Sequence, residues 1–209
     1  MSVVAQPVGT AMRRPVPGAQ QAFRTVMQAL SEPGQEVTLP AVCVEGLEPP
    51  GMADGRLLSP AMAAMLLTLL DRESSLRLHG ACDSPAVRAW LRFHTGVRLT
   101  DQPAEFEFLP VARLDPAHAA GFELGSDAAP QRGATVLCEV EHFDGGSPLV
   151  LRGPGIAHSR EVRVAGVAAA FWDWRIAQQA SYPRGIDLLF CAGLQWFGLP
   201  RSTRIVRVA

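Results

Sequence analysis

Tyr182-Pro183-Arg184-Gly185-Ile186-Asp187-Leu188-Leu189-Phe190 is the stretch on which the reading of the fold turns. A proline disfavours helical geometry in the residue before it, so a helix arriving from the N-terminal side must stop at Tyr182. Gly185 permits a backbone angle or a close approach that a side chain would block. The apolar run that follows, closed by Gly193, reads as a buried strand. Arg184 and Asp187 therefore stand where a loop feeds a strand, a position at which layered folds often collect binding groups. An ion pair that merely fixes the start of the strand accounts for the same two residues equally well.

Working outward, Val167 to Gln179 carries Phe171, Trp172, Trp174 and Ile176 and predicts the helix that the proline ends. Gln195 to Leu199 and Arg204 to Val208 predict two strands after Gly193. Thr135 to Phe143 and Leu149 to Arg152 flank Asp144-Gly145-Gly146-Ser147-Pro148, a turn signal that predicts a hairpin, and Glu161 to Val164 adds a short strand. In the first half, Phe23, Val26, Met27 and Leu30 share one face of a helix predicted over Gly18 to Leu30. Ser59-Pro60 and Ser84-Pro85 each combine a capping serine with a first-turn proline and start two further helices. Ala61 to Leu70 is apolar on nearly every side, the pattern of a helix buried in the domain or under a partner. The helix after Ser84 shows an apolar stripe of Val87, Trp90, Leu91 and His94 and closes at Gly96. Glu36 to Val44, interrupted by Pro40, predicts an edge strand. Ser74 to His79 and a half-exposed Glu105-Phe106-Glu107-Phe108 predict two more strands, and Asp115-Pro116 begins a short helix or turn. Met1 to Pro17 reads as an extended arm and residues 18–209 as one α/β domain with a mixed sheet.

The composition narrows the chemistry. The chain has 209 residues and a formal net charge of −1, which gives no field for gathering nucleic acid or an anionic membrane. All 19 basic residues are arginine. Without lysine there is no side-chain amine for a Schiff base and no lysine-type phosphate loop, so pyridoxal phosphate chemistry of the lysine type is excluded. Cys43, Cys82, Cys138 and Cys191 are isolated from one another, as expected of reduced core thiols in a cytosolic protein. No secretory leader is read at the N-terminus, and the longest apolar run, Leu57 to Leu70, is too short to span a bilayer.

Three segments hold groups that could bind a ligand. Gly153-Pro154-Gly155 could present amides to an anion, although Pro154 removes one donor and a structural strand-end turn is the favoured reading. Arg92-Phe93-His94 ends a helix, where His94 on an apolar stripe reads first as a core histidine. Arg201-Ser202-Thr203-Arg204 sets two cations beside two hydroxyls, a reasonable cradle for a phosphate or phosphonate oxygen and equally a normal start to the last strand. His79, His94, His118, His142 and His158 show no pair at ligand spacing, so no metal site is expected. The absence of a G-x-S-x-G elbow weighs against serine hydrolase chemistry.

Six segments, in order over almost the whole chain, resemble the PhnH family of the bacterial carbon–phosphorus lyase system. They are Ala22-Phe23-Arg24 with Leu30-Ser31-Glu32-Pro33-Gly34; Leu66-Leu67-Thr68-Leu69; Leu91-Arg92-Phe93-His94-Thr95; Leu151 to Ile156; Tyr182 to Leu188; and Leu199-Pro200-Arg201-Ser202-Thr203. The resemblance implies a three-layer α/β/α fold similar to pyridoxal-phosphate-dependent transferases but with no cofactor, and the missing lysine agrees with that. It implies a homodimer when isolated and association with other carbon–phosphorus lyase core subunits. It also implies a share in forming α-D-ribose 1-methylphosphonate 5-triphosphate from ATP and methylphosphonate. It transfers no catalytic residue. Arg184, Asp187, Arg92, His94, Arg201 and Ser202 are candidates from their motif positions, with Gly153 and Gly155 from the strand-end turn. The apolar helix Ala61 to Leu70 and the aromatic cluster Phe171 to Trp174 fit a permanent interface; burial within the domain is favoured for the first and stays open for the second.

Overall fold

The computed structural model describes residues 8–207. The first seven residues of the expected arm and Val208 of the last expected strand lie outside the described residues.

The apolar run read first is the centre of a seven-stranded mixed sheet. Strands β2 (Ser75–Leu78), β3 (Arg98–Leu99), β4 (Phe106–Pro110), β5 (Thr135–Glu139) and β8 (Asp187–Ala192) run parallel. Strand β9 (Gln195–Leu199) turns back antiparallel on β8, and β1 (Val37–Thr38) closes that side in the order β1-β9-β8-β5-β4-β2-β3. Both faces of the middle strands are covered, which is why Leu188 to Cys191 is apolar without alternation. Leu189 and Cys191 enter one core with Leu137, Phe108 and Trp196; Leu188 and Phe190 enter a second with Val136, Cys138 and Phe197. Three helices cover the first face: α1 (Pro15–Ser31), α2 (Pro60–Leu69) and α3 (Pro85–His94). The second face carries α4 (Pro116–Ala119), α5 (Ala169–Ala177) and a separate three-stranded sheet, β10 (Arg204–Arg207), β6 (Leu149–Arg152) and β7 (Arg160–Val162), with β6 central.

The helix starts follow from their caps. Ser59 Oγ accepts from the Met62 amide and Ser84 Oγ from the Val87 amide, each beside a first-turn proline that has no amide to satisfy. Ala61 to Leu66 are fully buried between α1 and the sheet, so burial within the fold accounts for the apolar helix. Phe171 and Trp172 are likewise buried, Trp172 lying against Phe190, so these two belong to the core, while Trp174, stacked on Phe171, is only partly buried. Each such side chain contributes about 1.5–3 kcal/mol of burial.

Several local expectations fail for reasons of tertiary pairing. The expected hairpin does not form: β5 lies between β4 and β8, whereas β6 pairs with β7 and β10 in the other sheet. The Asp144–Pro148 turn carries the chain from one sheet to the other. The predicted edge strand shrinks to Val37–Thr38 at the sheet margin, and Pro40 leads into a single 3-10 turn over Ala41–Cys43. Glu107 is fully buried rather than half-exposed, because Arg77 and His79 bond its carboxylate under α4. Helix α1 begins at Pro15 instead of Gly18, so the last three residues of the expected arm are helical.

Candidate functional site

A cleft of about 690 Å³ opens where the second sheet meets the turn after β9. Arg152 and Gly153-Pro154 form one wall at the end of β6, Arg201, Ser202 and Arg204 another, and Gln179 and Tyr182 close the rim. Tyr182 is 61% exposed, presenting an aromatic face at the mouth. The tyrosine precedes Pro183 through a cis peptide bond and follows a 3-10 turn that ends at Ser181, so the helical segment stops where the proline required.

Arg152 and Arg204 face each other directly as cross-strand partners of β6 and β10. Both side chains are exposed, and neither has a hydrogen-bond or carboxylate partner among the described residues. Like charges placed opposite one another on a sheet oppose folding. The arrangement therefore weakens the ligand-free protein while concentrating positive charge at one point in the cleft. Arg201 adds a third guanidinium, and Ser202 a hydroxyl.

Arg201 is held rigidly. Asp187 accepts from its backbone amide at 2.7 Å and from its Nη2 at 2.6 Å, and the same guanidinium donates to the carbonyls of Pro130 and Gly133. Asp187 thus fixes the start of its strand through an ion pair, with Arg201 as its partner and not Arg184. The pair is largely shielded from solvent, with 15% and 23% of the two side chains exposed. Beneath it lies Arg175 of α5, 2% exposed, whose Nη2 donates to the Pro200 carbonyl at 3.0 Å. Burial lowers its pKa to about 10. The Arg175 Nε, Gln178 Oε1 and Thr203 Oγ1 atoms, all on segments bordering the cleft, are buried without partners among the described residues. Such orphaned polar atoms cost stability unless something satisfies them.

The fold brings only some of the expected residues together. Arg201, Ser202 and Gly153 line the cleft, and Asp187 supports it from behind. Arg184 points elsewhere, pairing with Asp127 at 3.1 Å on the surface. Arg92 is exposed at the end of α3, and His94 bonds the Gly9 carbonyl through Nε2 at 2.8 Å, both on the opposite face of the sheet. Gly155 serves packing: its φ is +78°, and a Cβ there would collide with the Ser31 carbonyl at the end of α1. Gly153, at φ +136°, lets the backbone pass close to Ser202. Sequence reading missed Arg152, Gln179 and Tyr182 as members of this cleft, and offered Arg204 only as a cation of the turn that also holds Arg201. Arg152 and Arg204 stood inside quoted segments, but only the pairing of β6 with β10 makes them neighbours.

Fold and cleft together define a layered α/β protein with an arginine-lined cleft beside its second sheet. A family model described as bacterial phosphonate metabolism protein (PhnH) matches residues 10–206. The chain belongs to that family. It is 33% identical over 209 residues to the α-D-ribose 1-methylphosphonate 5-triphosphate synthase subunit PhnH of Rhizobium meliloti (strain 1021), covering 99% of this chain and all of the relative. It is 35% identical over 192 residues to the putative C-P lyase subunit protein HtxG of Stutzerimonas stutzeri, covering 90% of this chain and 86% of the relative.

Proposed function

We propose that this chain is a subunit of a carbon–phosphorus lyase assembly, and that its contribution to alkylphosphonate activation is to bind a phosphate- or phosphonate-bearing small molecule in the arginine cleft. The observation that carries the reading is the Arg152–Arg204 cross-strand pair, two unpartnered like charges facing an open cavity beside Arg201 and Ser202. Guanidinium groups recognise tetrahedral oxyanions through paired, charge-assisted hydrogen bonds. The exposed ring of Tyr182 at the rim offers a stacking face for a base or sugar. The relatives' names as synthase and lyase subunits support the wider role.

The kinship to pyridoxal-phosphate-dependent transferases is supported by the long, mainly parallel sheet with one reversed strand, and the chain has no lysine with which to use that cofactor. Homodimer formation by the isolated chain is part of the same proposal. Among the described residues no helix is long and apolar enough to cross a membrane, and the four cysteines are free and buried, in keeping with a reducing cytoplasm.

Two measurements separate this reading from that of a free-standing anion-binding enzyme or sensor. Co-expression with the other lyase subunits should yield a stable complex containing this chain. Calorimetry with methylphosphonate, phosphate and ATP on the isolated chain should show binding that disappears in R152Q/R204Q. Binding and turnover by the isolated chain, with no association to folded partners, would favour the free-standing alternative. Absence of any anion binding, alone or in the complex, would remove the cleft from the account.

A further inference from the structure

A second constellation lies away from the arginine cleft, toward the β2–β3 edge of the seven-stranded sheet. Strand β2 leads into α3 on the first face, whereas β4 leads into α4 on the second: Val87, Trp90 and Leu91 belong to one core, Ala119 and Phe122 to the other. Connections that diverge to opposite faces open a crevice at the carboxyl ends of adjacent parallel strands, the usual ligand position in such sheets. His79, the first residue beyond β2, and His118 of α4 both line a cavity of about 390 Å³ there, together with Arg77, Asp101 and Gly121.

Each imidazole is fixed by its own carboxylate. Glu107, fully buried on β4, accepts from His79 Nε2 at 2.7 Å, from Arg77 Nε at 2.8 Å and from the Ala104 amide at 3.1 Å. Asp115 accepts from His118 Nδ1 at 2.9 Å while capping α4 through the Ala117 and His118 amides. A neutral imidazole that donates one N–H leaves its other nitrogen as a bare acceptor. His79 Nδ1 and His118 Nε2 are those nitrogens, and neither has a partner among the described residues. The ring centroids are 6.0 Å apart. Metal–nitrogen bonds of about 2.0–2.1 Å place each ring centre roughly 3 Å from an ion, so two imidazoles on one ion stand roughly 5–6 Å apart. Arg77 and Arg88 are outweighed by Glu107, Asp115, Asp101 and Asp83, so the local charge favours a cation.

We propose that this crevice binds one divalent transition-metal ion of the zinc class through His79 Nδ1 and His118 Nε2, with Glu107 and Asp115 as the carboxylates that orient the two rings. No three His, Cys, Asp or Glu residues stand close enough to ligate together among the described residues. The protein therefore supplies two ligands, and water or a substrate oxygen fills the rest of the shell. A closed structural site would need four protein ligands; an open one of this kind suits a readily exchanged ion. The inference is independent of the arginine cleft.

The test uses full-length, tag-free protein stripped with chelator and titrated with Co²⁺ and Zn²⁺, read by Co²⁺ visible absorption and by calorimetry. The expected result is one equivalent per chain. H118A and H79A should each weaken binding at least about tenfold, and D115N by about 10–100-fold as an orienting residue. H142A, a surface control, should bind as the wild type does. Circular dichroism checks each fold; if H79A fails to fold, H118A and D115N still decide the matter. Metal binding unchanged in H118A, Mg²⁺ binding as well as Zn²⁺, or no binding at millimolar metal would each overturn the proposal.

Discussion

Replacing Arg152 by glutamine should make the ligand-free protein more stable and its ligand affinity poorer. Arg152 and Arg204 are directly opposed across β6 and β10 and have no carboxylate partner among the described residues. Two unit charges at a separation of about 8 Å in water repel by about 0.5 kcal/mol, within the range of about 0.2–1 kcal/mol for cross-strand pairs. Glutamine keeps much of the aliphatic stem and removes the charge. For a domain of this size the gain corresponds to a rise in Tm of about 1–2 °C. Because both groups are exposed, the gain should shrink as salt rises from low to about 1 M, where the screening length falls to about 3 Å. Millimolar methylphosphonate or phosphate should stabilise the wild type by mass action and leave R152Q nearly unmoved. A lost charge-assisted contact is worth about 1.5–3 kcal/mol, or about 10–150-fold in affinity. Differential scanning calorimetry at two salt concentrations, with and without anion, reads all three quantities. A salt-independent loss of more than about 1 kcal/mol in R152Q would show instead that the arginine packs as a structural element and that repulsion from Arg204 does not limit stability.

Three further consequences can be checked by denaturation. Asp187→Ala removes every carboxylate contact to Arg201 and should cost about 3 kcal/mol in urea unfolding, since it leaves a shielded guanidinium unpaired; a cost below about 0.5 kcal/mol would contradict the rigid turn. Glu139, buried at the end of β5 and bonded by Ser59, has its pKa pushed up to about 7 by burial, against a reference of 4.5. The folded state therefore holds its proton where the unfolded chain has released it, so this contribution is complete below about pH 4.5 and is lost as pH rises through 7, a total of about 3 kcal/mol. Glu139→Gln should flatten that slope, and an unchanged pH profile would contradict the assignment. Gly155→Ala drives a Cβ into the Ser31 carbonyl at a positive φ and should destabilise by about 1–3 kcal/mol; a neutral effect would mean that the β6 turn stands off from α1.

What could be read from sequence was local, and what could not was a matter of pairing. The apolar run Leu188–Phe190 announced a strand covered on both faces, and Ser59-Pro60 and Ser84-Pro85 announced helix starts, because those signals act within a few residues. The Asp144–Pro148 turn looked like a hairpin because a glycine-rich turn cannot reveal that its flanking strands join different sheets. Glu107 looked half-exposed because alternation reports which side a residue faces, not what covers that side. The candidate site was half visible. Arg201, Ser202, Gly153 and Asp187 were singled out from one motif each, but Arg152 became a site residue only through its pairing with Arg204. Arg184 and His94, prominent in their motifs, found partners in Asp127 and the Gly9 carbonyl instead. That His79 and His118 are neighbours was not legible, because spacing within one helix says nothing of residues brought together from a strand end and the separate helix α4.

The central claim is that the charged cleft serves phosphonate activation inside a larger assembly. Reconstituting the lyase subunits with R152Q/R204Q in place of the wild-type chain, and following synthesis of the ribose 1-methylphosphonate 5-triphosphate, tests it most directly. The account predicts an assembly of normal composition whose product formation falls at least about tenfold. Full synthase activity from an assembly lacking both charges would contradict it.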